Sequence, residues 1–219
     1  MKPWARPAGG KARAINTNSA TIEMTTTVFF SWQADTETRG GRNFIETALK
    51  RAAAQISKNT EVEEAVRELA VDRDTVGVAG SPPIVDTIFR KIDQAVVFVP
   101  DFTFIGKRLG GRPTPNPNVL VEYGWALKSI GHGRIVPIMN TAYGEPISDA
   151  MPFNMRHLRN PIAYHCPPGL DDDSRKQVRD QLAKELESAI RAVLDSDEFK
   201  SSLPKPKGLA GCGKSRHRR

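Results

Sequence analysis

Residues 95–99, Ala-Val-Val-Phe-Val, are apolar at every position, and Pro100 stops the run. A strand with no polar alternation must be covered on both faces, which is the habit of parallel sheets flanked by helices. The proline has no N–H to continue a ladder. A second run of this kind, Thr27-Val28-Phe29-Phe30-Ser31, is β-branched and aromatic and reads as the first strand. Between the two lie stretches with helical periodicity. Phe44, Ile45, Ala48, Leu49, Ala52 and Ile56 fall on one helical face, with Asn43 as N-cap and Glu46 as its capping partner. Residues 62–70 form a further candidate helix running into a weak second strand at Leu69-Ala70-Val71, and Ile84, Ile88, Phe89 and Ile92 mark another helix. Strands alternating with helices imply a mostly parallel sheet with helices on both sides.

Further along, a helix is expected over 118–130 with Gly131 closing it, a fourth strand over Arg134 to Met139, and a short fifth at Ile162-Ala163-Tyr164. Residues 171–195 carry the clearest amphipathic pattern, and Asp171, Asp172 and Asp173 suit its N-terminus electrostatically. The organisation is a flexible leader over 1–25, one α/β domain over 26–197, and a basic disordered tail over 198–219. The leader lacks the apolar centre of a secretory signal, and Met24 offers an alternative start. The formal charge of +7 is unevenly spread: residues 1–23 contribute +3 and the last twenty +7, which leaves −3 on the body. A mildly acidic body argues against a nucleic-acid-binding fold. No run approaches the roughly 18 apolar residues of a membrane span. Two scattered cysteines, Cys166 and Cys212, make neither a disulfide framework nor a metal motif, and a cytoplasmic location is expected.

In parallel sheets of this kind ligands sit at the carboxyl ends of the strands. The loops there are 32–42, 72–83, 101–118 and 140–160. Glu122 lies beside the apolar stripe of its helix, formed by Leu120, Tyr123, Gly124, Leu127 and Ile130, with Asn118 and Trp125 as helical neighbours. A carboxylate there is either an exposed solubilising group or a reacting one. Ser31 and Trp32 end the first strand, and Trp32 either stacks on a base or caps the core. Asp101 ends the third strand and either binds a ribose hydroxyl or caps the loop that follows. Arg73 is a loop anchor or a diphosphate contact, and Gly77, Gly80 and Ser81 can offer backbone N–H groups to a phosphate. The GVAGS segment has neither Walker nor dinucleotide-fingerprint spacing. The histidines His132, His157, His165 and His217 match no metal pattern, and Ser31 has no base near it in sequence, so neither a metal site nor a hydrolase triad is supported.

The segments VFFSWQ, LAVDRDTVGVAGSPPIVDTIFRKIDQAVVFVPD and NPNVLVEYGWALKSIG, in that order, resemble bacterial Toll/interleukin receptor (TIR)-like proteins over about residues 26–165. The resemblance implies a flavodoxin-like, doubly wound, five-stranded parallel sheet. It aligns Glu122 with that family's catalytic glutamate, and the loop after the second strand with the one placed over the substrate. In that family the glutamate usually follows a tryptophan–cysteine pair. The context here, PNVLVEYG, is closer to nucleoside deoxyribosyltransferases, which also break an N-glycosidic bond with a glutamate. The implied activity is cleavage of NAD at the nicotinamide–ribose bond, in bacterial antiviral defence signalling. NAD is then substrate rather than cofactor, and no metal or second cofactor is called for. The alternatives are a cyclase making a cyclic ADP-ribose isomer and a non-catalytic nucleotide-sensing or assembly module. The resemblance also implies a homo-oligomer or filament on activation and a partner effector.

Overall fold

The computed structural model describes residues 26–58, 69–74, 83–147 and 150–202. The helix expected over 62–70 therefore lies mostly outside the described residues. The first strand, β1 (Thr26–Ser31), is central: β2 (Leu69–Asp72) and β3 (Val97–Pro100) pair with it in parallel on either side. Strand geometry then sends successive side chains to opposite faces. Val28 and Phe30 enter one core with Val97 and Val99, while Phe29 enters a second core with Phe98. The two rings stack at 6.2 Å between centroids.

Helices cover each face. The first core is closed by α1 (Arg42–Lys58) and by the long helix α4 (Asp172–Leu194), through residues such as Ile45, Leu49, Leu182 and Leu186. The second is closed by α2 (Ile84–Gln94) and α3 (Pro117–Ser129), through Ile92, Val119, Tyr123 and Ala126. Full burial of each of the leucine, isoleucine and valine side chains among these contributes about 1.5–3 kcal/mol. Helix α1 begins one residue before Asn43, so the expected capping box is not formed. On α3 the buried stripe is Val119, Tyr123, Ala126 and Ile130; Gly124, which was expected to face the core, is exposed. Gly131 does end α3, with φ +77° and its N–H on the Ala126 carbonyl at 3.2 Å.

The single five-stranded parallel sheet implied by the TIR resemblance is not what the chain forms. There are three separate sheets among the described residues: the parallel trio β2-β1-β3, an antiparallel hairpin of β4 (Phe104–Lys107) and β5 (Pro113–Pro115), and a parallel pair of β6 (Ile138–Asn140) and β7 (Ile162–Tyr164). Between β3 and β6 only two isolated bridges form, Phe98 to Ile135 and Asp101 to Ile138. Pro100 and Pro137 fall between those bridges, and neither has an N–H to donate, so no continuous ladder develops. The expected fourth strand over 134–139 is correspondingly shortened: residues His132–Arg134 form a 3₁₀ turn, and extended pairing starts only at Ile138. The TIR-domain assignment loses its structural basis with the sheet. Ordered structure also continues beyond residue 197, where the tail was placed: α5 (Asp197–Ser202) carries Phe199, 2% exposed, into the first core.

A buried amide fastens the β6–β7 pair to the rest. Asn140 is fully buried; its Nδ2 donates to the carbonyls of Cys166 at 2.8 Å and Gly40 at 3.2 Å. Its Oδ1 accepts from Cys166 N at 3.0 Å and Ala142 N at 3.1 Å. Gly40 must be glycine to come this close, since a Cβ there would stand 2.9 Å from the Cys166 carbonyl oxygen. Replacing Asn140 by Ala strands three backbone groups, the Cys166 N–H and carbonyl and the Ala142 N–H, while the Gly40 carbonyl keeps the Tyr164 hydroxyl at 2.9 Å. Each stranded group is worth roughly 1–3 kcal/mol when buried unpaired, less what relaxation recovers. The expected loss is about 3 kcal/mol, read as a lower urea midpoint at unchanged slope; a loss under about 1 kcal/mol contradicts the fastening role.

Candidate functional site

The carboxyl ends of the strands converge on one edge. Ser31 ends β1, Asp72 ends β2, Pro100 ends β3 with Asp101 beyond it, and Asn140 ends β6. The Asp101 N–H donates to the Ser31 carbonyl at 2.9 Å, which holds the ends of β1 and β3 together. Into this edge comes the first half of α3. Its start is set by Asn116, whose side chain accepts from Asn118 N at 2.8 Å and Val119 N at 3.4 Å, with Pro117 pre-shaped for the first helical position. The Asn116 amide also donates to Asp35 at 2.6 Å, so the loop after β1 and the helix are pinned to each other.

Glu122 sits on α3 facing that edge, and Ser31 Oγ donates to its Oε2 at 2.5 Å. The two residues are 91 positions apart in sequence. A distance of that length is typical of a hydroxyl bonded to an ionised carboxylate. Burial pushes the Glu122 carboxyl above the usual glutamate range; the Ser31 hydrogen bond pulls it back down, and the negative charge of Asp74 pushes it up again. Such a shifted carboxyl is a marker of functional sites, though ion-pair networks produce shifts too. Here no cation is paired with it among the interactions that set its pKa.

Trp32, half-buried, donates its indole N–H to Asp74 and packs its ring on the first core. The Arg42 guanidinium lies 4.3 Å from the ring centroid, so one ring face is already covered. Asp74 is the only described non-glycine residue with positive φ, at +51°, a conformation that costs energy and collects at functional sites. Arg73 is held by Glu46 at 3.2 Å and Asp74 at 3.5 Å, which commits its guanidinium to the protein. Asp101 is fully buried, accepts from Thr103 N at 3.0 Å and faces Gln33 Nε2 at 3.5 Å. In that position it caps the loop and does not offer its carboxylate to a ligand. Burial raises its pKa against the opposing Thr103 and Gln33 hydrogen bonds.

Two expected neighbours of Glu122 do not join it. Trp125 turns to α2, where its indole N–H donates to Asp93 at 2.7 Å and its ring stacks on Phe89 at 4.3 Å. Asn118 is exposed and its backbone serves the helix cap. Gly77, Gly80 and Ser81 lie outside the described residues. Asp74, which opens the second loop with Asp72 and Arg73, joins the site through its pair with Arg73. Two residues enter that were not singled out, Arg42 and Gln33. Gln33 is 3% exposed, accepts from Asp35 N at 2.6 Å and donates to Thr36 at 2.9 Å, so it shapes the loop beneath the site. A glutamine directly after the strand-ending Ser-Trp pair was the available signal. Among the described residues no group of three or more His, Cys, Asp or Glu stands together as a metal site, and no helix is long and apolar enough to cross a membrane.

No family model matches the chain, and no curated protein matches it.

Two substitutions should move the Glu122 titration in opposite directions. Ser31→Ala removes the bond that favours the carboxylate and should raise its pKa; Asp74→Asn removes a repelling charge and should lower it. Carboxyl carbon NMR of the labelled side chain reads both. Shifts of the same sign in the two variants would contradict the electrostatic arrangement.

Proposed function

We propose that the protein hydrolyses the N-glycosidic bond between nicotinamide and ribose in NAD, with Glu122 as the reacting carboxylate. The observation that carries this is the Ser31–Glu122 contact at the strand-end edge: a shielded carboxylate, aimed by a buried hydroxyl, with no cation paired to it among the described residues. The chemistry needs little else. As the C1′–N bond breaks, its electron pair passes to the pyridinium nitrogen and nicotinamide leaves neutral. The ribose becomes an oxocarbenium ion, which a nearby carboxylate stabilises. Water then bonds to C1′ and gives its proton to Glu122, which passes it to solvent. The half-buried indole of Trp32 is the platform for a ring of the substrate. Ser31 is the positioning residue. Homo-oligomerisation on activation belongs to the same proposal.

Glu122→Gln keeps the shape and removes the charge. Purified protein at high concentration, incubated with NAD and followed by chromatography, should release nicotinamide and linear ADP-ribose. The variant should be slower by at least about 10²-fold. A cyclic product would move the reaction to ADP-ribose cyclisation at the same carboxylate; undiminished turnover by the variant would remove Glu122 from the chemistry.

The sign of the stability effect is also set. A carboxyl whose folded pKa is raised contributes stability only at low pH, and that contribution is lost as pH rises through the folded value. At neutral pH the ionised Glu122 is therefore a cost, so Glu122→Gln should melt no lower than the parent at pH 7. A clear drop in Tm would show that the carboxylate is a structural partner rather than a stored functional group.

A further inference from the structure

A sizeable cavity lies away from the Glu122 edge. It has a volume of about 930 Å³ and lies between residues 146–147 and 151–161, the start of β6 and β7, and the second half of α4. That volume is at the upper end of small-molecule sites, about 300–1,000 Å³. Its wall is mainly apolar, with Phe102, Met151, Met155, Ile162 and Val193 among the lining side chains. The two methionines supply surface that adapts to an irregular apolar shape.

Three polar groups are placed against this wall. Tyr123 lines the cavity, is 4% exposed, and has no hydrogen-bond partner for its hydroxyl among the described residues. The hydroxyl is free to donate to a ligand oxygen in the cavity. Arg156 donates through Nε to the Met151 carbonyl at 3.2 Å, and its terminal nitrogens are left without protein partners among the described residues. Arg159 lines the cavity, is exposed, and makes no ion pair among the described residues. One carboxylate, Glu185, also lines it and is engaged by Gln181 at 2.8 Å. Two guanidinium groups against one carboxylate leave a single net positive charge.

We propose that this cavity is a binding site for a monoanion with an apolar body, such as a medium-chain carboxylate. The chain lies against the methionine wall, and the head group accepts hydrogen bonds from Tyr123 and Arg159. The site is independent of the nucleotide chemistry at Glu122.

The test is calorimetric titration of the full chain with decanoate below its micelle concentration, beside decan-1-ol, which lacks the charge, and acetate, which lacks the apolar body. Methyl-labelled methionines report location: Met151 and Met155 line the cavity, whereas Met139 is fully buried and does not. Decanoate should bind and shift Met151 and Met155 but not Met139. Decanol should bind about tenfold more weakly and acetate not measurably. Tyr123→Phe and Arg159→Gln should each weaken decanoate binding by up to about tenfold. Arg159 is exposed, so its variant stands even if the tyrosine variant is unstable. No decanoate binding, equal binding of acetate, methyl shifts elsewhere only, or unchanged affinity in Arg159→Gln would each overturn the proposal.

Discussion

Everything in this structure is arranged around β1 having a neighbour on each side and a core on each face. With β2 and β3 paired to its two edges, its side chains have nowhere to go but into packed interiors: Val28 and Phe30 one way, Phe29 the other. Two faces need two sets of helices, and the parallel direction of the strands forces their carboxyl ends onto a common edge. Ser31 arrives there because it follows the last core residue of the central strand. Its near-complete burial, at 1% exposure, leaves its hydroxyl one useful direction, toward α3.

The Glu122 site is a balance of three influences. Burial works against the carboxylate, the Ser31 hydroxyl works for it, and Asp74 works against it. A protein selected for stability alone would pair such a group with a cation, and Arg42 and Arg73 are both within the same cluster of residues. Instead Arg42 lies over Trp32 and Arg73 is spent on Glu46 and Asp74. Asp74 links the parts, since it receives the Trp32 indole, pairs with Arg73 and bears on Glu122 from a left-handed backbone position. Local rules are broken at this edge and obeyed in the cores, a pattern expected where structure is spent on function.

The strands and helices of the two cores were legible because apolar period alone defines them. The uninterrupted 95–99 run announced a doubly covered strand, and the α4 pattern matched its helix nearly to the residue, with Asp171 accepting from Ser174 N as N-cap. The sheet's continuity was not legible. Pro100 was recognised as a stop for its own strand, but Pro137 was read as an ordinary strand residue, and only their juxtaposition in space breaks the ladder between β3 and β6. The β4–β5 hairpin was missed because its strands carry Gly106, Pro113 and Pro115 and lack alternation. At the site, Ser31 and Glu122 were both chosen from their sequence positions, but their bond could not be foreseen across 91 residues. Trp125 was misplaced by wheel geometry: three residues beyond Glu122 it falls on the α2 side of the helix, where Phe89 and Asp93 claim it.

In the proposed reaction the Ser31–Glu122 edge holds the ribose of a nucleotide. A crystal structure of the Glu122→Gln protein soaked with NAD tests it most directly. Density for the nicotinamide riboside is expected at the ends of β1 and β3, with C1′ beside residue 122 and a ring against Trp32. NAD bound elsewhere on the molecule, or an empty edge at saturating NAD, would contradict it.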